Sequence, residues 1–191
     1  MPESQALYTL TGIEGDNMGK VFFISDTHFN HKNIIKYAGR PQRDVEHMNK
    51  VLINNWNEYV SNKDTIYHLG DFAFNPTREL IESLNGRKRL VMGNHDKKPM
   101  KWYLDNGFEA VYDMPVIYKS FYILSHRPIY INDDMPYVNL HGHIHNAELI
   151  GGRNYKNLCV ERIGYRPIEF SGIKAAMGIE GEDFDYDIVN F

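Results

Sequence analysis

The chain has 191 residues, 42% of them hydrophobic and 24% charged, enough for one domain with its own core, and no apolar run approaches the ~18 to 20 residues of a membrane span. A formal net charge of −4 argues against a protein that coats long nucleic acids through a basic face, though a short or end-directed nucleic acid stays open as a substrate. The single cysteine, Cys159, excludes an intrachain disulfide and any cysteine-rich zinc site and reads as a small buried hydrophobe.

Residues 1–20 read as an N-terminal extension or an extra strand ahead of a single domain over 21–191. "MPESQALYTL" lacks the charged start and apolar core of a secretory signal, so a cytoplasmic location is expected. "VFFIS" (21–25) is the first clear strand and breaks into polar "DTHFNHKN". Asp44 is then placed to cap an amphipathic helix over 44–60, with Val45, Met48, Leu52, Trp56 and Tyr59 at helical spacing. "TIYHL" is a strand ending at "GD". "NPTRELIESLNG" follows as a helix with Asn75 as cap, Pro76 in the first turn and Gly86 as its stop. "KRLVM" is a strand ending at "GNHD", and "PMKWYLDNG" a short helix. This alternation predicts an α/β layer of parallel strands. From residue 109 the runs "AVYD", "PVIY", "FYILS", "YVNLHG" and "NLCVER" predict a second, more antiparallel sheet. "IKAAMGI" is a late helix and "EGEDFDYD" a solvated segment after it.

Three of the nine histidines, His141, His143 and His145, alternate in "NLHGHIHNAEL". In an extended strand such residues share one face, so the imidazoles could reach a common target. The other polar blocks also fall where predicted strands end. Functional side chains gather beyond the carboxyl ends of strands in open α/β sheets. Asp26, His28, Asp71, Asn94, His95, His126, His143 and His145 could therefore converge.

The ordered blocks "DTH", "GD", "GNHD", "SHRP" and "GHIH", spread over residues 21–146, resemble the calcineurin-like metallophosphoesterase superfamily. The resemblance implies a four-layer α-β-β-α sandwich with two mixed β-sheets. It also implies two adjacent divalent metal ions, with Asp26, His28 and His145 holding the first, Asn94, His126 and His143 the second, and Asp71 bridging them. The implied reaction is hydrolysis of a phosphodiester, with phosphomonoesters as further substrates, through attack by a metal-bridging hydroxide. His95 would assist the leaving group rather than bind metal. With only two anionic ligands, such a site stays net positive and suits an anionic ester.

Manganese is the first choice for activity in vitro, and zinc, iron, nickel and cobalt also suit oxygen and imidazole ligands. Expected partners are a phosphate-ester small molecule, a nucleotide or a nucleic acid end, reached through a mouth formed by loops 27–43 and 72–76. A nucleotide or dinucleoside polyphosphate hydrolase is the alternative, signalled by base stacking on Phe29, Phe72 or Phe74. From other classes, a non-catalytic partner-binding scaffold would keep the fold but lose ligands, and a structural zinc site would be closed and four-coordinate. Around the site, His31, Arg40, Lys97 and Arg127 are candidate phosphate contacts, each of which could instead serve only its own loop or solvent. His141 is expected as a buried histidine that orients a ligand, His68 as a core residue and His47 as a surface one.

Overall fold

A computed structural model describes residues 19–132, 134–148 and 152–179, so the N-terminal extension through residue 18 and the acidic segment from residue 180 lie outside the described residues. Strand β1 (Val21–Ile24) is buried from Phe22 onward. A single turn of helix, α1 (Ile34–Tyr37), precedes α2 (Val45–Tyr59). In α2 Asp44 accepts from His47 N–H at 2.7 Å, and Met48, Leu52 and Trp56, four residues apart, form the buried face. The cap is as predicted, while the buried stripe is shorter than its spacing suggests, Val45 being half-buried and Tyr59 exposed.

Strand β2 (Thr65–His68) leads to α3 (Arg78–Glu82), whose start differs from expectation. Thr77 is the cap, its hydroxyl accepting from Leu80 N–H at 3.3 Å. Asn75 instead takes a left-handed turn (φ 49°), which short amide side chains tolerate, and Pro76 lies before the helix. The helix also ends at Ser83, ahead of Gly86. Next come β3 (Arg87–Val91), α4 (Met100–Asp105) and β4 (Phe108–Tyr112). Strand β4, from which the second sheet was expected to begin, extends the first sheet, parallel to β3. Helix α4 supplies the crossover that a parallel neighbour requires.

The second sheet consists of β5 (Val116–Tyr118), β6 (Tyr122–Ser125), β7 (Val138–His141) and β8 (Tyr155–Asn157). Lys119 and Ser120, both at positive φ, turn the β5–β6 hairpin. Only that pairing is antiparallel; β6–β7 and β7–β8 are parallel, so the sheet is less antiparallel than its short apolar runs suggest. "NLCVER" is not a strand of its own. It leaves β8 and bridges to Ser25, with Ser25 N–H donating to Leu158 O at 2.9 Å and Val160 N–H to Ser25 O at 3.1 Å. The last described elements are β9 (Ile168–Glu169), antiparallel to β1, and α5 (Phe170–Ala176).

The fold is α/β with two mixed sheets, ordered β4-β3-β2-β1-β9 and β5-β6-β7-β8. Phe23 and Tyr67, paired in register, stack at 5.4 Å and meet Tyr118 of the other sheet, while Phe170 packs edge-on against Tyr118 and Tyr122. On the opposite face of the first sheet, Trp56 lies over His68. No described helix is long and apolar enough to cross a membrane.

His68 is fully buried, with Nε2 2.9 Å from Thr27 Oγ1, and burial holds its pKa down to about 3 although the charge of Asp71 pulls the other way. Above the ordinary histidine pKa both folded and unfolded states are neutral there. Below it only the unfolded chain takes the proton, so stability falls by about 1.4 kcal/mol per pH unit toward the folded value. Urea unfolding at about pH 7.5 and about pH 5.5 should therefore show His68→Gln losing about 1 kcal/mol less than the wild type.

Candidate metal centre

Five strands aim their carboxyl ends at one place. Asp26 and His28 follow β1, Asp71 follows β2, and Asn94, His95 and Asp96 follow β3; His126 follows β6, and His143 and His145 follow β7. Five of the seven expected ligands have positive φ: Asp26 (56°), His28 (47°), Asp71 (56°), His143 (71°) and His145 (46°). Such conformations cost of order 1 kcal/mol or more each and persist where surrounding contacts enforce them. Here Asp26 N–H donates to Gly70 O and His28 N–H to Asp71 O, both at 3.0 Å. Strand β7 stops at His141, so the alternating histidines do not share a face through strand parity. His143 and His145 reach the site through left-handed turns, and a Cβ at Gly142 between them and the strand would run into Ser25 Oγ and Asp26 Oδ2.

Two groups result. Asp26, His28 and His145 bring ligand atoms within 4.8 Å of one another, as do Asp71, His126 and His143. Asp71 Oδ2 stands between the groups, 3.4 Å from both His28 Nε2 and His126 Nε2. Asn94 Oδ1 lies 3.0 Å and His143 Nδ1 3.1 Å from His126 Nε2, so Asn94 completes the second group.

The donor chemistry fits cations. Asp26 Oδ2 accepts from Ser25 O–H, from His143 N–H at 2.9 Å and from the Cys159 thiol at 3.2 Å. Asp26 Oδ1, turned toward His28 and His145 at 3.8 Å from each Nε2, is buried with no hydrogen bond, and so is His28 Nε2. Unsatisfied buried groups of this kind are expensive unless an ion completes them. His126 Nδ1 faces the Leu69 carbonyl at 2.9 Å, and a carbonyl only accepts, so the neutral ring directs the Nε2 lone pair at two oxygen acceptors. A positive charge there, a proton or a metal ion, satisfies both acceptors, Asn94 Oδ1 and Asp71 Oδ2. Burial lowers the His126 pKa, but the bond to Asp71 and the charges of Asp26 and Asp71 outweigh it and raise the ring toward imidazolium. Burial pushes Asp71 up, yet the His126 bond and charge hold it well below the usual carboxylate range. For Asp26 burial dominates and raises the pKa. Burial likewise depresses His28 and His143, keeping them in the neutral form a metal needs.

Residues 19–174 match the calcineurin-like phosphoesterase family. The chain belongs to that family. It is 39% identical over 166 residues to the uncharacterized protein MJ1445 of Methanocaldococcus jannaschii, covering 80% of this chain and 88% of that one. It is 35% identical over 85 residues to the Gene 66 protein of Mycobacterium phage L5, 41% of each. Among solved structures, the protein of unknown function AQ665 from Aquifex aeolicus superposes with a TM-score of 0.65 at 32% identity, covering 83% of this chain and 99% of that one.

Around the two groups, this calcineurin-like phosphoesterase places its remaining polar residues unevenly. His95 is exposed at the rim, its ring 5.3 Å from that of His28 and its backbone N–H donating to Asp71 Oδ1 at 2.8 Å. Arg127 and Lys97 are exposed, Arg127 beside His126. His31 Nδ1 sits 3.3 Å from His28 Nδ1, so the half-buried ring touches one of the expected ligands. His141 is buried with Nδ1 3.0 Å from Gly142 O, and His47 is half-buried in the first turn of α2.

Arg40 corrects its expected role. Instead of facing phosphate it is buried, and its guanidinium donates to the carbonyls of Asp26 and Thr27 and to Glu161. Two carboxylates escaped the sequence reading. Asp96, the last letter of "GNHD", accepts from Asp71, Phe72 and Gly93 N–H and ties the ends of β2 and β3 together. Glu161 pairs with Arg40 and His145 but lies in no motif. Cys159, Glu161 and His145 also approach within 4.8 Å, yet burial raises the thiol pKa and the guanidinium already occupies the carboxylate, which disfavours a third ion there.

Removing Arg40 would strand a buried carboxylate. In metal-free protein, Arg40→Ala should cost about 3–5 kcal/mol in urea unfolding, and the double variant Arg40→Met/Glu161→Leu clearly less, because an apolar pair leaves no bare charge.

Proposed function

We propose that the protein hydrolyses phosphodiester bonds, and phosphomonoesters alongside, with two divalent metal ions. Asp26, His28 and His145 would hold one, Asn94, His126 and His143 the other, and Asp71 both. The observation that carries this reading is the position of Asp71 Oδ2, 3.4 Å from an imidazole nitrogen of each group. When bound, the two ions supply an activated water and draw charge from the phosphoryl oxygens. Manganese is the first ion to try, and zinc the second, since the set lacks thiolate. The single thiol, buried at Cys159, suits a reducing compartment such as the cytoplasm.

The chain's own groups do the rest. His95, oriented through its backbone bond to Asp71, stands at the rim to give a proton to the departing alkoxide. Arg127 beside His126 adds positive charge where an anionic ester arrives. Chelated protein should have no activity on a chromogenic phosphodiester and regain it with manganese or zinc. His95→Ala with metal restored should lose about 10²- to 10⁴-fold in kcat. Turnover that survives chelation, or that His95→Ala leaves intact, contradicts the proposal.

A second reading, hydrolysis of nucleotides, dinucleoside polyphosphates or nucleic acid ends, is favoured by one exposed aromatic. Phe29 and Phe72 are core residues and offer no stacking face. Phe74 is 55% exposed and stacks on His31 at 5.6 Å, and Tyr37, 73% exposed, meets the same His31 ring edge-on at 6.5 Å. Base stacking on an aromatic is worth about 1–3 kcal/mol. Phe74→Ala should therefore raise KM about 5- to 100-fold for a dinucleotide diester, but not for a diester of aliphatic alcohols. Equal effects on both substrates would remove the stacking role.

A further inference from the structure

Glu161 is outside the expected ligand set, yet it touches it. Its Oε1 accepts from Arg40 Nε at 2.8 Å, from Arg40 Nη2 at 2.7 Å and from His145 Nδ1 at 3.1 Å. The same guanidinium donates through Nη2 to the Asp26 carbonyl at 2.7 Å and through Nη1 to the Thr27 carbonyl at 2.8 Å. One cation thus holds the backbone that carries Asp26 and His28 and, through Glu161, the ring of His145. Those are the three members of the first group. Both side chains of the pair are buried, at 0% and 2% exposure, so water does not compete for these bonds. A carboxylate only accepts, so His145 keeps its hydrogen on Nδ1 and turns the Nε2 lone pair toward Asp26 Oδ1.

We propose that Glu161 and Arg40 are positioning residues that tighten one ion of the pair selectively, the one held by Asp26, His28 and His145. The proposal rests on the two-ion reading above. Selectivity follows from how each group is tethered. In the second group the tether is the Leu69 carbonyl on His126 Nδ1 rather than Glu161 or Arg40. Glu161→Gln preserves the volume and one acceptor oxygen but removes the charge that fixes the His145 tautomer and engages the guanidinium fork.

The test is calorimetric titration of chelated full-length protein with manganese alone. Wild type should take up two ions. Glu161→Gln should hold one with unchanged affinity and the other about 10- to 100-fold more weakly. His143→Ala, which spares the first group, identifies the ion concerned: adding Glu161→Gln in that background should weaken the remaining ion by the same factor. If Glu161→Gln does not fold by circular dichroism, Arg40→Lys, which keeps the charge but loses the fork, should show the same selective loss. Equal weakening of both ions, or none, overturns the proposal and leaves the pair a structural salt bridge. A wild type that takes up fewer than two ions overturns the two-ion reading first, and this inference with it.

Discussion

Two carboxylates buried at the ends of neighbouring parallel strands are the constraint on which the rest of the molecule depends. Asp26 and Asp71 are 0% and 2% exposed, and the backbone bonds Asp26 to Gly70 and His28 to Asp71 prevent the loops that carry them from separating. Burial raises the pKa of Asp26 and outweighs the charges of His126 and His145, which pull it down. Placed among the imidazoles of His28, His126 and His145, whose Nδ1 atoms face His31, the Leu69 carbonyl and Glu161, the pair makes a pocket lined by electron-rich atoms. Divalent cations relieve that imbalance. The left-handed residues at the strand ends are its conformational cost, and the parallel strand order is what makes the ends meet.

Asp26 also joins the two sheets. One of its oxygens accepts from a serine of the first sheet's loop, a backbone N–H that follows β7 and a thiol that follows β8, while the other stays bare for an ion. The bridge between Ser25 and Cys159 holds these segments in register, and Gly142 lets the histidine turn pass without a side chain. Asp96 performs a similar task between β2 and β3 by collecting three backbone N–H groups. The site therefore gains its rigidity from hydrogen bonds between loops as well as from the packing of aromatic residues between the sheets.

What could be read from the sequence follows from the range of the interactions involved. Helix α2 is legible because its Asp44 cap and its buried stripe are local, and the eight convergent residues because their blocks interrupt apolar runs. The start of α3 was misplaced because Asn75 and Thr77 can both cap, and only the chain path decides between them. Strand β4 joins the first sheet although its run looks like the second, because a short apolar run carries no mark of its partner. The alternation of His141, His143 and His145 pointed to the right place through the wrong geometry, since the strand ends at the first of them. Arg40 and Glu161 were the least legible: 121 residues separate them, and neither lies within a metal-ligand block. A basic residue near a phosphate site reads as a substrate contact until its burial is seen.

The most direct test of the central claim is anomalous scattering from crystals grown with manganese. Two peaks are expected, one among Asp26, His28 and His145 and the other among Asn94, His126 and His143, with Asp71 Oδ2 touching both. A single peak, or two peaks that Asp71 does not bridge, would contradict it.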